Sequence, residues 1–103
     1  MEDLELEIKQ LFDNQEYDKA LELVNKQIVK FPEQSVWLAL RGDIYYVQQL
    51  FAKALNDYNK VLKFDVENKL IASKVEMISN ILKFQNLDIY ESTNLNIDPA
   101  RQC

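Results

Sequence analysis

The sequence predicts an all-α fold assembled from repeated helical hairpins, and three observations carry that prediction. Tyr17, Ala20, Leu21, Asn25, Lys26 and Ile28 are matched in type, at an offset of 34 residues, by Phe51, Ala54, Leu55, Asn59, Lys60 and Leu62. Self-similarity at this period marks a helix-turn-helix unit that cannot bury its apolar face alone and therefore stacks on its neighbours. One glycine and two prolines in 103 residues leave long helices uninterrupted. Apolar residues make up 48% of the chain and recur at three- and four-residue spacing, enough for one domain with one continuous core.

The elements follow in order. Leu4, Ile8, Leu11 and Phe12 form the stripe of a first helix over about residues 3–13. Its early acids, Glu2, Asp3, Glu5 and Glu7, suit the positive end of the helix dipole. After a turn at Asn14, Gln15 and Glu16, the residues Tyr17, Ala20, Leu21, Val24, Ile28 and Phe31 continue the periodicity as a second helix. Pro32 stops it, because the proline ring clashes with helical backbone before it. Ser35 is the best candidate cap for a third helix carried by Trp37, Leu38, Leu40, Ile44, Tyr45 and Val47. Gln48, Gln49 and Leu50 turn the chain into a fourth helix with Phe51, Ala54, Leu55, Tyr58, Val61 and Leu62 on its stripe. Asp65 to Asn68 form an exit loop, and Asn68 is placed to cap a fifth helix over about 69–84.

At these residues the chain resembles the tetratricopeptide repeat family. Leu38-x3-Gly42-x2-Tyr45-x5-Phe51-x2-Ala54-x3-Tyr58 carries one repeat, and Tyr17-x2-Ala20 with Pro32 carries the second half of another. The spacing has a physical reason: small Gly42 and Ala54 let paired helices cross closely, while Tyr45, Phe51 and Tyr58 fill the space around the crossing. Ile8 stands where the first repeat should be small, Val66 replaces a closing proline, and Gln15 and Gln49 replace turn glycines. A helical-hairpin array outside the family is the alternative. The resemblance implies a right-handed array in a domain over 1–84, with repeats at about 1–34 and 35–68 and a capping helix at 69–84.

It also implies that partner segments dock on a concave surface lined by the first helix of each repeat. Helical geometry puts Glu5, Lys9, Phe12 and Asp13 on that surface from the first repeat, and Val36, Ala39, Asp43, Tyr46 and Val47 from the second. The fifth helix adds Ser73, Met77, Asn80 and Ile81. Phe12 and Tyr46 occupy matching places, and aromatics of this kind are common binding hot spots, with a part in the core as the competing role. Members of the family that grip a C-terminal carboxylate do so with Lys, Asn and Arg. Only Lys9 is so placed, while Glu5, Leu40 and Asp43 are the wrong chemistry, which speaks against acidic chaperone tails as ligands.

On the fifth helix, Ile71, Val75, Ile78 and Leu82 suit packing on the preceding helix. A second line, Leu70, Met77, Ile81 and Phe84, has no evident cover, so it is expected to lie under the tail, residues 85–103, or at a dimer contact. Leu87, Ile89, Tyr90, Leu95 and Ile97 make the fold-back of that tail over the fifth helix the first expectation.

Composition narrows the function class. Twelve Lys and Arg are interspersed with seventeen acids for a net charge of −5, against nucleic acid as a ligand. No 18-residue apolar run occurs and Met1 opens onto an acidic stretch, so neither a membrane span nor a signal peptide is expected, and the protein reads as cytoplasmic. Cys103 is the single cysteine, which excludes an internal disulfide. The absence of histidine removes the usual base and metal ligand, and Gly42 stands alone rather than in a phosphate loop. Asp13 to Glu16 lack the spacing and glycine of a calcium loop. The acids fall mostly on expected solvent faces, where nothing shifts them toward catalysis. The sequence thus predicts a non-enzymatic protein-binding adaptor or scaffold with no cofactor and no metal, a monomer or weak homodimer; the alternative is a self-associating structural protein that dimerises through the capping helix or the tail.

Overall fold

The computed structural model describes residues 2–93, with side chains placed over 3–85. The fold is all-α: α1 (Glu2–Asp13), α2 (Tyr17–Lys30), α3 (Ser35–Val47), α4 (Phe51–Phe64) and α5 (Lys69–Thr93), with no strand among the described residues. Each helix packs on the next, so α1 and α2 form one hairpin, α3 and α4 a second, and α5 lies against α4.

The repeat in sequence becomes a repeat in backbone geometry. Gln15 and Gln49 both adopt the left-handed conformation, each with φ 63°. The Glu16 N–H donates to the Leu11 carbonyl at 2.8 Å and the Leu50 N–H to the Tyr45 carbonyl at 2.9 Å, closing the same six-residue turn at each helix end. The opposite turns also match: Phe31 N–H donates to Gln27 and Asp65 N–H to Val61, at 2.8 and 2.9 Å. Val66 therefore stands in for Pro32 without altering the loop.

The core forms two clusters on either side of α3. Ile8, Ala20, Val24, Trp37 and Ile44 join the first hairpin to the second. Leu38, Ala54, Tyr58, Val61, Ile71 and Ile78 join the second hairpin to α5. Trp37 is thus a packing residue between repeats, and its indole N–H donates to Gln34 Oε1 at 2.9 Å.

Steric complementarity explains why Ile8 takes a position where a small residue is expected. Positions 8 and 42 correspond, as do 24 and 58. At Gly42 an added Cβ would lie 2.6 Å from Tyr58 Cε1, inside any tolerable contact. In the first hairpin the small partner is Val24 and the large one Ile8, both fully buried. The same interhelical volume is filled from opposite sides.

Three sequence readings are corrected. Ser35 is the first residue of α3 rather than its cap; Gln34 precedes it and makes no side-chain cap bond. Asn68, by contrast, caps α5 as its sequence suggests, accepting from Ile71 N–H at 3.0 Å. The fifth helix does not end near residue 84 but runs 25 residues to Thr93. No Gly or Pro interrupts 85–93, so nothing forces a stop, and this stretch continues α5 instead of folding back over it. Residues 94–103, including Leu95 and Ile97, lie outside the described residues. Finally, Asp57 is not on a solvent face: it is 2% exposed in α4. Arg41 of α3 holds it bidentately, Nε to Oδ2 and Nη2 to Oδ1 at 2.8 Å each, and reaches Asn25 Oδ1 of α2 at 2.9 Å. The bond to Asp57 raises the guanidinium pKa, so its charge persists across the accessible pH range.

Two outcomes follow for stability. Because L-residues in the left-handed region carry a cost that glycine escapes, Gln15→Gly and Gln49→Gly should each raise unfolding free energy by about 0.5–1 kcal/mol in denaturant titrations. Arg41→Ala, which strands the buried Asp57 carboxylate, should cost roughly 3–5 kcal/mol, and Asp57→Leu added to Arg41→Met should recover most of it.

Candidate functional site

Helix geometry turns Phe12 of α1, Asp43, Tyr46 and Val47 of α3, and Lys74 and Met77 of α5 toward one cavity of about 180 Å³, with Tyr58 of α4 at its base. A second hollow of about 250 Å³ adjoins it between α1 and α3, lined by Lys9, Asp13 and Leu40 and sharing Phe12 and Asp43 with the first.

Its aromatic walls are set by a contact that recurs with the repeat. Phe12 meets Tyr17 edge-on at 5.8 Å between ring centroids, and Tyr46 meets Phe51 edge-on at 5.6 Å. In each hairpin the last aromatic of the first helix is braced by the first residue of the next, and both braced rings line the cavity. The phenol of Tyr46 also donates to Met77 Sδ at 3.8 Å, tying α3 to α5 across the opening. Phe12 and Tyr46 are both half-buried, combining packing with a surface role.

A polar centre sits on the floor. The Tyr58 hydroxyl donates to Asp43 Oδ1, and Lys74 Nζ donates to the same oxygen at 2.9 Å. Tyr58 reaches Asp43 only by passing over Gly42, where no side chain blocks the ring. Lys74 also lies 5.5 Å from the Tyr58 ring centroid, a cation-π arrangement. Asp43 Oδ2 receives no donor among the described residues.

The sequence-derived surface is therefore brought together in part. Lys9, Phe12, Asp13, Asp43, Tyr46, Val47 and Met77 line the two hollows. Glu5 lies beside them, its carboxylate 3.2 Å from Lys9 Nζ. Val36 and Ala39 pack against the two core clusters and line neither hollow. Ser73 and Asn80 are exposed and Ile81 half-buried, also outside the lining. Sequence reasoning missed Lys74 and Tyr58. The 34-residue offset held a signal for the first, since Lys74 corresponds to Leu40 of the neighbouring hollow.

Among the described residues, no group of three or more His, Cys, Asp or Glu could hold a metal ion, and no helix is long and apolar enough to cross a membrane. Comparison of the chain with protein-family models, with curated proteins and with solved structures finds no match.

The Tyr58 phenol gives the site a pH signature. Burial, then the bond to Asp43 and that carboxylate's charge, push it well above its ordinary pKa of 10.0. An unfolded chain loses this proton through pH 10 while the folded chain keeps it, so stabilisation is whole below pH 10 and falls as pH rises further, by about 1.4 kcal/mol per pH unit. Denaturant titrations at rising alkaline pH should show a shallower decline for Tyr58→Phe than for the wild type.

Proposed function

We propose that this chain is a tetratricopeptide-type interaction module, without catalysis of its own, whose cavity between α1, α3 and α5 takes a segment of a partner protein. The observation that carries this reading is the cavity itself: Phe12, Tyr46, Val47 and Met77 surround Asp43. Val47 and Met77 are 40% and 43% exposed, large apolar side chains left facing solvent at one place. Support for the family comes from the 34-residue offset, which runs through both left-handed turns and both braced aromatics.

The chemistry of the walls defines the segment. The apolar walls suit an aromatic or branched side chain. Since Tyr58 and Lys74 both use Asp43 Oδ1, the carboxylate keeps Oδ2 for an incoming donor, and Asp13, Asp43 and the adjoining Glu5, set against Lys9 and Lys74, leave one net negative charge around the two hollows. The fitting segment thus carries a large apolar residue beside a lysine or arginine. A cytoplasmic location goes with this reading, as a lone cysteine in 103 residues suits a reducing compartment.

Selection from a random displayed peptide library reads this directly. Wild-type protein should enrich sequences pairing an aromatic or aliphatic residue with a cation. Phe12→Glu with Tyr46→Glu, shown to be folded by circular dichroism, should lose that enrichment, and Asp43→Asn should lose the cation preference alone. Equal enrichment by all three proteins, or none by the wild type, would reject the cavity as a docking site.

A further inference from the structure

The carboxylate on the cavity floor is used unevenly, and the unevenness discriminates between cations. Asp43 Oδ1 accepts two donors, the Tyr58 hydroxyl and, at 2.9 Å, Lys74 Nζ. A carboxylate oxygen carries two lone pairs, so Oδ1 is filled. Oδ2 receives no donor among the described residues, and the Asp43 side chain is 34% exposed. Lys74 is held by two contacts, the bond to Oδ1 and the face of the Tyr58 ring, whose centroid lies 5.5 Å away. Moving it aside gives up both.

Elsewhere in the same chain an unshared carboxylate behaves differently. Asp57 takes Arg41 Nε on Oδ2 and Nη2 on Oδ1 at 2.8 Å each, and no further donor among the described residues. A guanidinium fork of this kind needs a free lone pair on both oxygens at once. Asp57 has both to give, whereas Asp43 has one oxygen closed.

We propose, on the basis of the docking reading of the cavity, that Lys74 is a specificity-determining residue: with Tyr58 it keeps Asp43 Oδ1 filled, so the cavity prefers a lysine in the partner segment to an arginine. A lysine ammonium is a compact point charge that needs one acceptor, which Oδ2 supplies. The advantage of an arginine lies in two parallel bonds; offered Oδ2 alone, it forms one and leaves the other arm of its fork without a carboxylate oxygen. Phe12 and Tyr46 do not decide between the two, because both cations are attracted to an aromatic face. Nor does the single net negative charge around the hollows, which draws both alike. The choice falls to the oxygens.

The test uses the full chain with the displayed random peptide library, followed by titration of selected peptides synthesised in lysine and arginine forms. Wild-type protein should enrich lysine over arginine, and exchange of that lysine for arginine should weaken binding about tenfold, the weight of one charge-assisted hydrogen bond. Two variants free Oδ1 by different chemistry. Lys74→Met removes a donor and a charge, while Tyr58→Phe removes a donor alone. With each, shown to be folded by circular dichroism, the arginine form should bind at least as tightly as the lysine form. Equal enrichment of lysine and arginine by the wild type overturns the proposal and leaves the docking reading standing. A lysine preference that persists in Lys74→Met also overturns it, as does one lost in Lys74→Met but kept in Tyr58→Phe, which assigns the effect to charge. Selection of peptides without a cation, or of none, removes the docking chemistry and the proposal with it.

Discussion

The close approach of Tyr58 to Gly42 is the constraint from which the rest of the second hairpin follows. With no Cβ at Gly42, the Tyr58 ring occupies the space that a side chain there would need, and its hydroxyl reaches Asp43, the next residue of α3. One contact thereby does two things: it sets how tightly α3 and α4 pack, and it delivers a polar group from the core to the cavity floor. Lys74 arrives at the same oxygen from α5, so three helices converge on one carboxylate. Position 24, the counterpart of Tyr58, is a valine that cannot reach out in this way. The polar centre accordingly belongs to the second hairpin alone, and the first contributes aromatic and aliphatic wall.

A second polar link works on a different part of the array. Arg41 joins Asn25 of α2 to Asp57 of α4, spanning the two hairpins with one guanidinium. Buried ion pairs contribute little net stability compared with well-packed apolar residues, but an unmatched member is costly. Such a link acts mainly on register. A sliding of α4 along α3 would leave Asp57 charged and without its donors, whereas a sliding of one hairpin against the other would break only the bond from Arg41 to Asn25.

Much of the fold was legible because helices write themselves locally. The stripes Leu4-Ile8-Leu11 and Ile71-Val75-Ile78, the turn residues at 14–16 and 48–50, and the Asn68 cap are all set by neighbours within a turn or two in sequence. What was missed depended on distance or on an absent signal. Asp57 reads as a solvated acid because its partner, Arg41, lies sixteen residues away on another helix. Lys74 reads as a surface cation because Asp43 lies thirty-one residues before it. The end of α5 was misplaced because Asn86, Asp88 and Ser92 are weak helix formers, yet without Gly or Pro they do not compel a stop. On the candidate surface, Phe12, Asp43 and Tyr46 followed from periodicity. Val36 and Ala39 point nearer the core than an ideal helix would suggest, since the adjoining helices crowd both sides of α3.

The exchange of bulk between Ile8 with Val24 and Gly42 with Tyr58 bears on how two repeats of common pattern came to differ. If they descend from one duplicated hairpin, the two arrangements cannot be joined by independent drift at each site. Enlarging Val to Tyr while Ile is still in place drives a ring into occupied space; shrinking Ile to Gly first leaves a hole. A hole lowers stability yet keeps the helices in position, whereas a clash displaces them. Under such a descent, divergence of the pair has a preferred order, small before large, with a loosened hairpin as its intermediate.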